Sequence, residues 1–508
     1  MLTSPETTQL EEVGRLKSRL RPTIEIVAAG LLMAFAVGPW GWWPLAFIGI
    51  TLLVRLQKDR SYKSRLFRNF CVFVVYFVVT MTWIISLHLA AWPALAVIEA
   101  AVMAPLVALT PPGRARWLGF PAALMAAEAV RWSWPLGGVP LANLALTQVN
   151  GPLLPTARLF TALTIVGLLG LIGVAIDAAI SRQQRPALIA SGIVVVVVAA
   201  ALVAPQGRQV DVINASLVQG GGELGTHAIT SSSLEVFERH FERTLDVPEG
   251  TDLVLWPEDV LDVEGSVIGN PLMVRLQELT AAREFVLVVG VVEGEGDTYY
   301  NASVVLDRDG QIYDRYDKVN LVPYGEYVPF RSTIDRFIDL SRLPRDATAG
   351  EGPGYIDTPL GPMAISISFE IFFPRRMRSG VVNGGRLLLG PTNSSSYTNT
   401  QVPEQTLDSS RLRAVENGRW MIQASPTGYG SFINPQGTVT QRSGLKESVV
   451  LSQEVGLREG ETLSVRYGRV PLIWLSLLVL GFAWRLERQP DESDDEMLLA
   501  ESVDIPDT

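Results

Sequence analysis

A carboxylate, a lysine and a hydroxyl, in that order and each at the end of a short apolar run, are the groups of this chain best suited to chemistry. Glu258 closes Leu253-Val254-Leu255-Trp256-Pro257-Glu258, Lys318 follows Tyr316-Asp317, and Ser368 ends Ile365-Ser366-Ile367-Ser368. Acyl transfer from an ester or amide needs a nucleophile, a group to take its proton, and stabilisation of the tetrahedral oxyanion. Glu258, beside the apolar Trp256-Pro257 pair, is placed for partial desolvation, which raises a carboxyl toward the range of a general base. Lys318 supplies fixed positive charge, and Ser368 the attacking oxygen. Taken singly, each has a plain structural reading: a solvated strand-end acid, a surface lysine, a turn hydroxyl bonded to nearby backbone. A thiol would attack more readily, since free cysteine ionises near ~8.5 whereas a serine hydroxyl is negligibly ionised at neutral pH. The one cysteine, Cys71, lies elsewhere, in an apolar run, and reads as a small packing residue.

The elements that must position these groups are short and β-branched. Runs at 210–213, 253–255, 285–289, 364–367 and 386–390 alternate with helix-like stretches at 232–245, 271–283 and 404–418, which argues an α/β layered domain. Asp307-Arg308-Asp309-Gly310 and Asn434-Pro435-Gln436-Gly437 are turn signals that close strand pairs. No basic, aromatic-interleaved patch points to nucleic acid, and neither a cofactor nor a metal is expected.

Around this block the composition changes. The chain has 508 residues, 48% of them hydrophobic, and a mean hydropathy of +0.25. Apolar runs near 23–40, 42–54, 70–87, 91–109, 117–133, 159–180, 187–204 and 470–484 read as membrane spans, because ~20 helical residues cross ~30 Å of hydrocarbon. Basic residues fill every second connection: Arg15 to Arg21, Arg55 to Arg68, Arg114 and Arg116, Arg182 and Arg185, Arg485 and Arg488. The positive-inside rule then puts both termini in the cytoplasm and the polar block outside. The expected organisation is a cytoplasmic tail 1–22, a bundle of about seven spans over 23–205, an extracytoplasmic domain 206–468, a closing span 469–485 and an acidic, disordered tail 486–508. Segment 134–158, rich in Pro and Gly, is expected at the membrane surface, either as a plain connection or as a lip admitting lipid tails. Glu128 and Arg131, three apart, are expected to pair, while Glu99 has no local partner in the sequence.

The words around the three residues resemble the apolipoprotein N-acyltransferase family, integral membrane enzymes with an extracytoplasmic nitrilase-like domain. The resemblance rests on Trp256-Pro257-Glu258 and on Lys318 followed by Leu321-Val322-Pro323-Tyr324-Gly325-Glu326-Tyr327-Val328-Pro329. Further support comes from Arg411 through Arg419, Thr427-Gly428 and the closing apolar run. It implies an α-helical membrane bundle carrying an αββα sandwich with a Glu-Lys-Cys triad. Glu258 falls on the base, Lys318 on the stabilising lysine, Glu326 on a second essential glutamate, and Ser368 on the nucleophile. Phe369 and Glu370 fall on the aromatic–acid pair that follows, and Trp256 and Tyr324 are carried along as supporting residues. The implied reaction moves an acyl chain from a membrane phospholipid to the N-terminal diacylglyceryl-cysteine amine of an apolipoprotein, through an acyl-enzyme.

Departures gather at the site. Ser368 stands where the family has cysteine, Asn320 where a histidine is usual, and Thr392-Asn393-Ser394-Ser395-Ser396-Tyr397 where an Asn-Asp-(small)-Trp-Phe word is usual. The alternative expectation is therefore a catalytically silent member that binds acyl chains or lipoproteins, or scaffolds a membrane partner such as a glycosyltransferase.

Overall fold

The computed structural model describes residues 21–86, 89–222, 232–336, 340 and 345–489. The expected tails lie almost wholly outside the described residues.

The polar block folds as two sheets. The first runs in spatial order Val449–Glu459, Arg208–Gln219, Leu253–Leu255, Val286–Glu295, Thr298–Leu306, Ile312–Asp317. The second runs Val439–Arg442, Ser431–Ile433, Met421–Ala424, Leu388–Pro391, Met363–Ile365, Tyr355–Ile356. One apolar cluster joins Leu217, Leu255 and Val288 of the first sheet to Ile365, Leu389 and Ile422 of the second, so the sheets pack face to face. The outer face of the first buries Leu287 and Val289 among Phe237 and Leu276, which come from the helices Ser233–Thr244 and Pro271–Arg283. The outer face of the second buries Leu388 and Met421 with Met377 and Leu407, from Pro374–Val382 and Val402–Asn417. The order is α/β/β/α. Each covered strand is buried on both faces, which is why these strands read as continuous apolar runs.

Helices make up the other half: 21–35, Pro44–Leu56, Tyr62–Thr80, Ala91–Val107, Arg116–Arg131, Leu163–Ile180, Gln184–Val203 and Val470–Glu487. Leu163–Ile180, Gln184–Val203 and Val470–Glu487 are long and apolar enough to cross a membrane. Two expected boundaries move. The helix expected over 70–87 begins at Tyr62, capped by the Ser61 hydroxyl, so Lys63, Arg65 and Arg68 are helical rather than in a loop. The run 159–180 breaks at Thr161 (φ +69°) into a short turn and the long helix.

Segment 134–158 is non-helical over 137–143 and packs against the rest of the protein. Most of 139–149 is buried between the helices and the α/β domain. Tyr76 Oη donates to the Ala142 carbonyl at 2.8 Å, and the Ala142 N–H donates to Gln405 Oε1 at 3.1 Å. Arg131 explains both the segment and Glu99. Its guanidinium meets Glu128 at 3.0 Å and Glu99 at 3.1 Å, and donates to the carbonyls of Val139 and Leu141. Glu128 in turn accepts the Leu144 N–H at 2.7 Å. A buried guanidinium needs such partners, because an unpaired charge in an apolar interior is strongly unfavourable.

Candidate active site

The site forms where parallel strands of both sheets end. Leu253–Leu255 is parallel to both its neighbours, as is Leu388–Pro391, and Met363–Ile365 runs parallel to Leu388–Pro391. Loops leaving the carboxyl ends of such strands are free of the ladder and can carry function. Glu258 follows the first strand, Asn393 the second and Ser368 the third. Lys318 follows Ile312–Asp317, with its N–H bonded to the Asn301 carbonyl at 2.9 Å. Gly290 lets the Glu258 turn lie close to the sheet: a Cβ there would come within 2.1 Å of the Pro257 carbonyl oxygen.

Lys318 is 1% exposed and joins two carboxylates. Its Nζ donates to Glu258 Oε1 at 2.8 Å and to Glu326 Oε1 at 2.7 Å. Asn301 Nδ2 donates to the same two oxygens, at 2.8 and 2.9 Å. Glu326 Oε2 accepts the Val322 N–H at 2.8 Å, which ties the carboxylate to its own loop. Among the described residues no hydrogen bond reaches Glu258 Oε2, leaving that oxygen able to accept a proton. Burial raises the Glu258 carboxyl above its ordinary range, against the pull of the Lys318 charge. Burial alone would lower the Lys318 ammonium, but the charges of Glu258 and Glu326 more than reverse this and hold it protonated.

Ser368 lines the same cavity of about 330 Å³ as Glu258, Lys318, Glu326 and Asn301. Its φ is +52°, between the strand Met363–Ile365 and a short 3-10 turn over Ser368–Phe372. A left-handed non-glycine residue costs about 1–3 kcal/mol and persists only where its surroundings impose it. Here Glu370 imposes it. Its buried carboxylate accepts the N–H groups of Ile367, Val319 and Asn320, each at 2.9 Å, and the Tyr316 hydroxyl at 2.8 Å. One carboxylate thus fastens the turn of Ser368 to the strand end of Lys318. The Ser368 hydroxyl itself takes no hydrogen bond among the described residues.

Trp256, carried along as a supporting residue, lies in the domain core. It is fully buried, packed on Phe237 and His240, with its indole N–H bonded to Thr244 Oγ1 at 2.9 Å. Phe369 packs on Phe372 and Phe373, Tyr324 is exposed, and neither is among the residues lining the cavity. Asn301 and Asp259 escape the sequence reading. The signal for Asn301 was present: a polar residue inside the apolar strand Thr298–Leu306 must find partners. Among the described residues, no group of three or more His, Cys, Asp or Glu side chains is arranged to hold a metal. Cys71 is a free, partly buried residue of the helix Tyr62–Thr80.

One cavity thus holds a carboxylate able to take a proton, a protonated lysine able to stabilise an oxyanion, and a strained turn hydroxyl. The similarities of the chain agree with that arrangement. The family model for the apolipoprotein N-acyltransferase N-terminal domain matches residues 29–175, and the carbon-nitrogen hydrolase model matches 230–462. The chain is 28% identical over 498 residues to an apolipoprotein N-acyltransferase of Azotobacter vinelandii, covering 90% of this chain and 93% of that one. It is 25% identical over 531 residues to the enzyme of that name from Shewanella oneidensis, covering 95% and 100%. The Mycolicibacterium smegmatis protein of that name is 27% identical over 510 residues, covering 92% and 84%. Among solved structures, an amidase from Nesterenkonia sp. aligns with 53% of this chain and 97% of its own at 19% identity, with a TM-score of 0.37. With both domain models matched in order and relatives aligned over nine-tenths or more of its length, the chain belongs to the apolipoprotein N-acyltransferase family.

Proposed function

We propose that the protein transfers an acyl chain from membrane phospholipid to the N-terminal diacylglyceryl-cysteine amine of apolipoproteins, with Ser368 as nucleophile. The observation that carries this reading is the convergence of Glu258, Lys318, Glu326 and Ser368 on one cavity. In the first step Glu258 takes the Ser368 proton as Oγ attacks the donor's ester carbonyl, and returns it to the departing lysophospholipid oxygen. Lys318 offers positive charge to the tetrahedral oxyanion and holds both glutamates in place. In the second step the acceptor amine attacks the Ser368 ester, the new amide forms, and Oγ leaves with a proton. A serine nucleophile depends on Glu258 in a way a thiolate does not, because the hydroxyl must lose its proton as it attacks.

The same reading makes this a multi-pass protein of the cell membrane. It comprises a helical bundle over 23–205, an extracytoplasmic catalytic domain over 206–468 and a closing span over 469–485, with both termini cytoplasmic. The three long apolar helices and the alternation of basic connections support it. Labelling of residue 309 from the cytoplasmic side of intact membranes would overturn that orientation.

A catalytically silent, acyl-binding protein has one observation in its favour, the unbonded Ser368 hydroxyl. Intact-protein mass spectrometry after incubation with defined phospholipid separates the two. An acyl mass on Ser368 supports transfer, and bound lipid without a covalent adduct supports the silent alternative.

A further inference from the structure

Asp259, next to Glu258, has no role in the scheme above, yet it faces the same cavity. Its φ of +58° turns it out of the path of the preceding strand, another left-handed non-glycine residue at the site. Oδ2 accepts from Asn393 Nδ2 at 3.3 Å, while Oδ1 is buried and has no hydrogen-bond partner. No ion pair reaches it among the described residues. Among the described residues of the cavity wall the one cation, Lys318, is already committed to Glu258 and Glu326. The charged residues described there are thus Glu258, Asp259, Asp262 and Glu326 against a single lysine. Burial, with the charge of Glu258 next, holds the Asp259 carboxyl well above its usual range. A buried carboxyl oxygen without a donor is costly, and the cost is removed when a ligand brings the donor.

Resting on the acyl-transfer reading, we propose that Asp259, oriented by Asn393, is the subsite that receives the primary ammonium of the acyl acceptor. The α-ammonium donates to Oδ1 and fills the missing partner. Asp259 then takes one proton from it, which frees the nitrogen lone pair. The amine attacks the acyl carbon of the Ser368 ester, an N–C bond forms and the C–Oγ bond breaks. The second amine proton leaves with Oγ and restores the serine hydroxyl. Glu258 and Asp259, adjacent in sequence, thereby divide the two half-reactions: one carboxylate serves the nucleophile and the other the acceptor. Asn393 belongs to the 392–397 loop, so that loop and the turn after Leu253–Leu255 build the subsite together.

The test is a binding measurement that needs no turnover. The full-length protein in lipid nanodiscs is titrated with a diacylglyceryl-cysteinyl peptide and with its desamino analogue, which has hydrogen in place of the α-amino group. The wild type is expected to bind the amine at least tenfold more tightly, and Asp259→Asn to bring that ratio near one. Asn393→Ala, which leaves the carboxylate but frees it to rotate, should give an intermediate ratio, and it carries the test if Asp259→Asn fails to fold. A wild type that binds both peptides equally overturns the proposal, as does a folded Asp259→Asn, or an Asn393→Ala, that keeps the full ratio. Acyl adduct formation on Ser368 is read separately by intact mass. Its absence would defeat the acyl-transfer reading, while the peptide ratio still decides whether Asp259 receives the amine.

Discussion

Glu370, two residues beyond Ser368, accepts the backbone N–H of Val319, one residue beyond Lys318, at 2.9 Å. The other oxygen of the same carboxylate accepts the Ile367 N–H, on the opposite side of the cleft between the sheets. The register between nucleophile and lysine therefore passes through a side chain that does not line the cavity. Glu370→Gln would present an amide N–H₂ to donors on one side, with a stability loss of about 3 kcal/mol for the broken charge-assisted bonds. Acyl-enzyme formation should fall at least a hundredfold. Tyr316→Phe removes a single bond to the same carboxylate and should cost about 1 kcal/mol while most acylation survives. Melting temperature and adduct rate, measured on both variants, check the difference. Equal rates in Glu370→Gln and the wild type would remove Glu370 from this positioning role.

Lys318 and Glu326 respond differently to neutralisation. Lys318→Met removes the cation shared by the Glu258 and Glu326 carboxylates, and should cost about 3–5 kcal/mol at neutral pH. Part of that loss should return on mild acidification, as one carboxyl takes a proton. Glu326→Gln leaves the Lys318–Glu258 bond at 2.8 Å in place and should cost only about 1–2 kcal/mol, mainly through the Val322 N–H it no longer holds. Thermal unfolding of the two variants across pH 5 to pH 8 is the measurement. A Lys318→Met protein as stable as Glu326→Gln would show that the pair is not electrostatically coupled in this way.

How much of this was legible beforehand depends on whether the signal was local. The strand Leu253–Leu255, the helix Pro271–Arg283 and the turns at Gly310 and Gly437 announce themselves through apolar runs and turn residues. The order Glu258, Lys318, Ser368 was legible because each closes such a run. The placement of Trp256 was not legible, because proximity in sequence does not fix direction: Glu258 enters the cavity and Trp256, two residues earlier, packs under the sheet on Phe237. Glu99 was opaque for a similar reason, its partner Arg131 being 32 residues away on another helix. The Pro and Gly content of segment 134–158 argues against a regular helix there. What packs it against the protein is the donors on Arg131 and Tyr76 and the acceptor on Gln405, which no window of the sequence displays.

The α/β domain should lose stability in mild acid through His240. The ring is buried against Trp256, with Nδ1 2.8 Å from the Val236 carbonyl. Burial lowers its pKa from 6.5 to about 4, with Arg239 adding to the effect and Val236 opposing it. The unfolded chain binds this proton below pH 6.5, whereas the folded one resists until about pH 4. The neutral-ring contribution is therefore present above the unfolded value and is lost as pH falls toward the folded value, to a total of about 3 kcal/mol. Asp408 acts in the opposite sense. Burial raises its carboxyl to about 7 despite Arg411, so the folded state gains stability from its protonation as pH falls below that value. His240→Leu isolates the first effect: its unfolding midpoint should fall less than that of the wild type between pH 6.5 and pH 4.5. Parallel curves for the two proteins would exclude His240 as the source of acid sensitivity.

Replacing the Ser368 oxygen by sulfur tests whether the surrounding pocket is competent. The four-way arrangement of Lys318, Asn301, Glu258 and Glu326 keeps its bonds whatever atom stands at position 368, since none of them reaches the Ser368 hydroxyl. Cysteine tolerates the same left-handed turn at similar cost, because the strain comes from the backbone and Cβ and not from the γ atom. A thiol beside a buried ammonium ionises far more readily than a hydroxyl, and its thioester forms faster. Ser368→Cys should therefore raise the rate of adduct formation with phospholipid by at least tenfold, read as an acyl mass on the intact protein. Ser368→Ala should abolish every adduct while leaving bound, extractable lipid unchanged. The pH dependence adds a sign. The serine enzyme needs Glu258 unprotonated, so its acylation rate should fall as pH drops through the raised pKa of that carboxyl. The cysteine variant, whose thiol ionises in the cavity that also holds the Lys318 charge, should be less sensitive over the same range. If Ser368→Cys gives no thioester while lipid stays bound, the cavity is a binding site that has lost its chemistry. Asn320, whose side-chain oxygen is buried without a partner, and the 392–397 loop would then be the places where the family's reaction was given up.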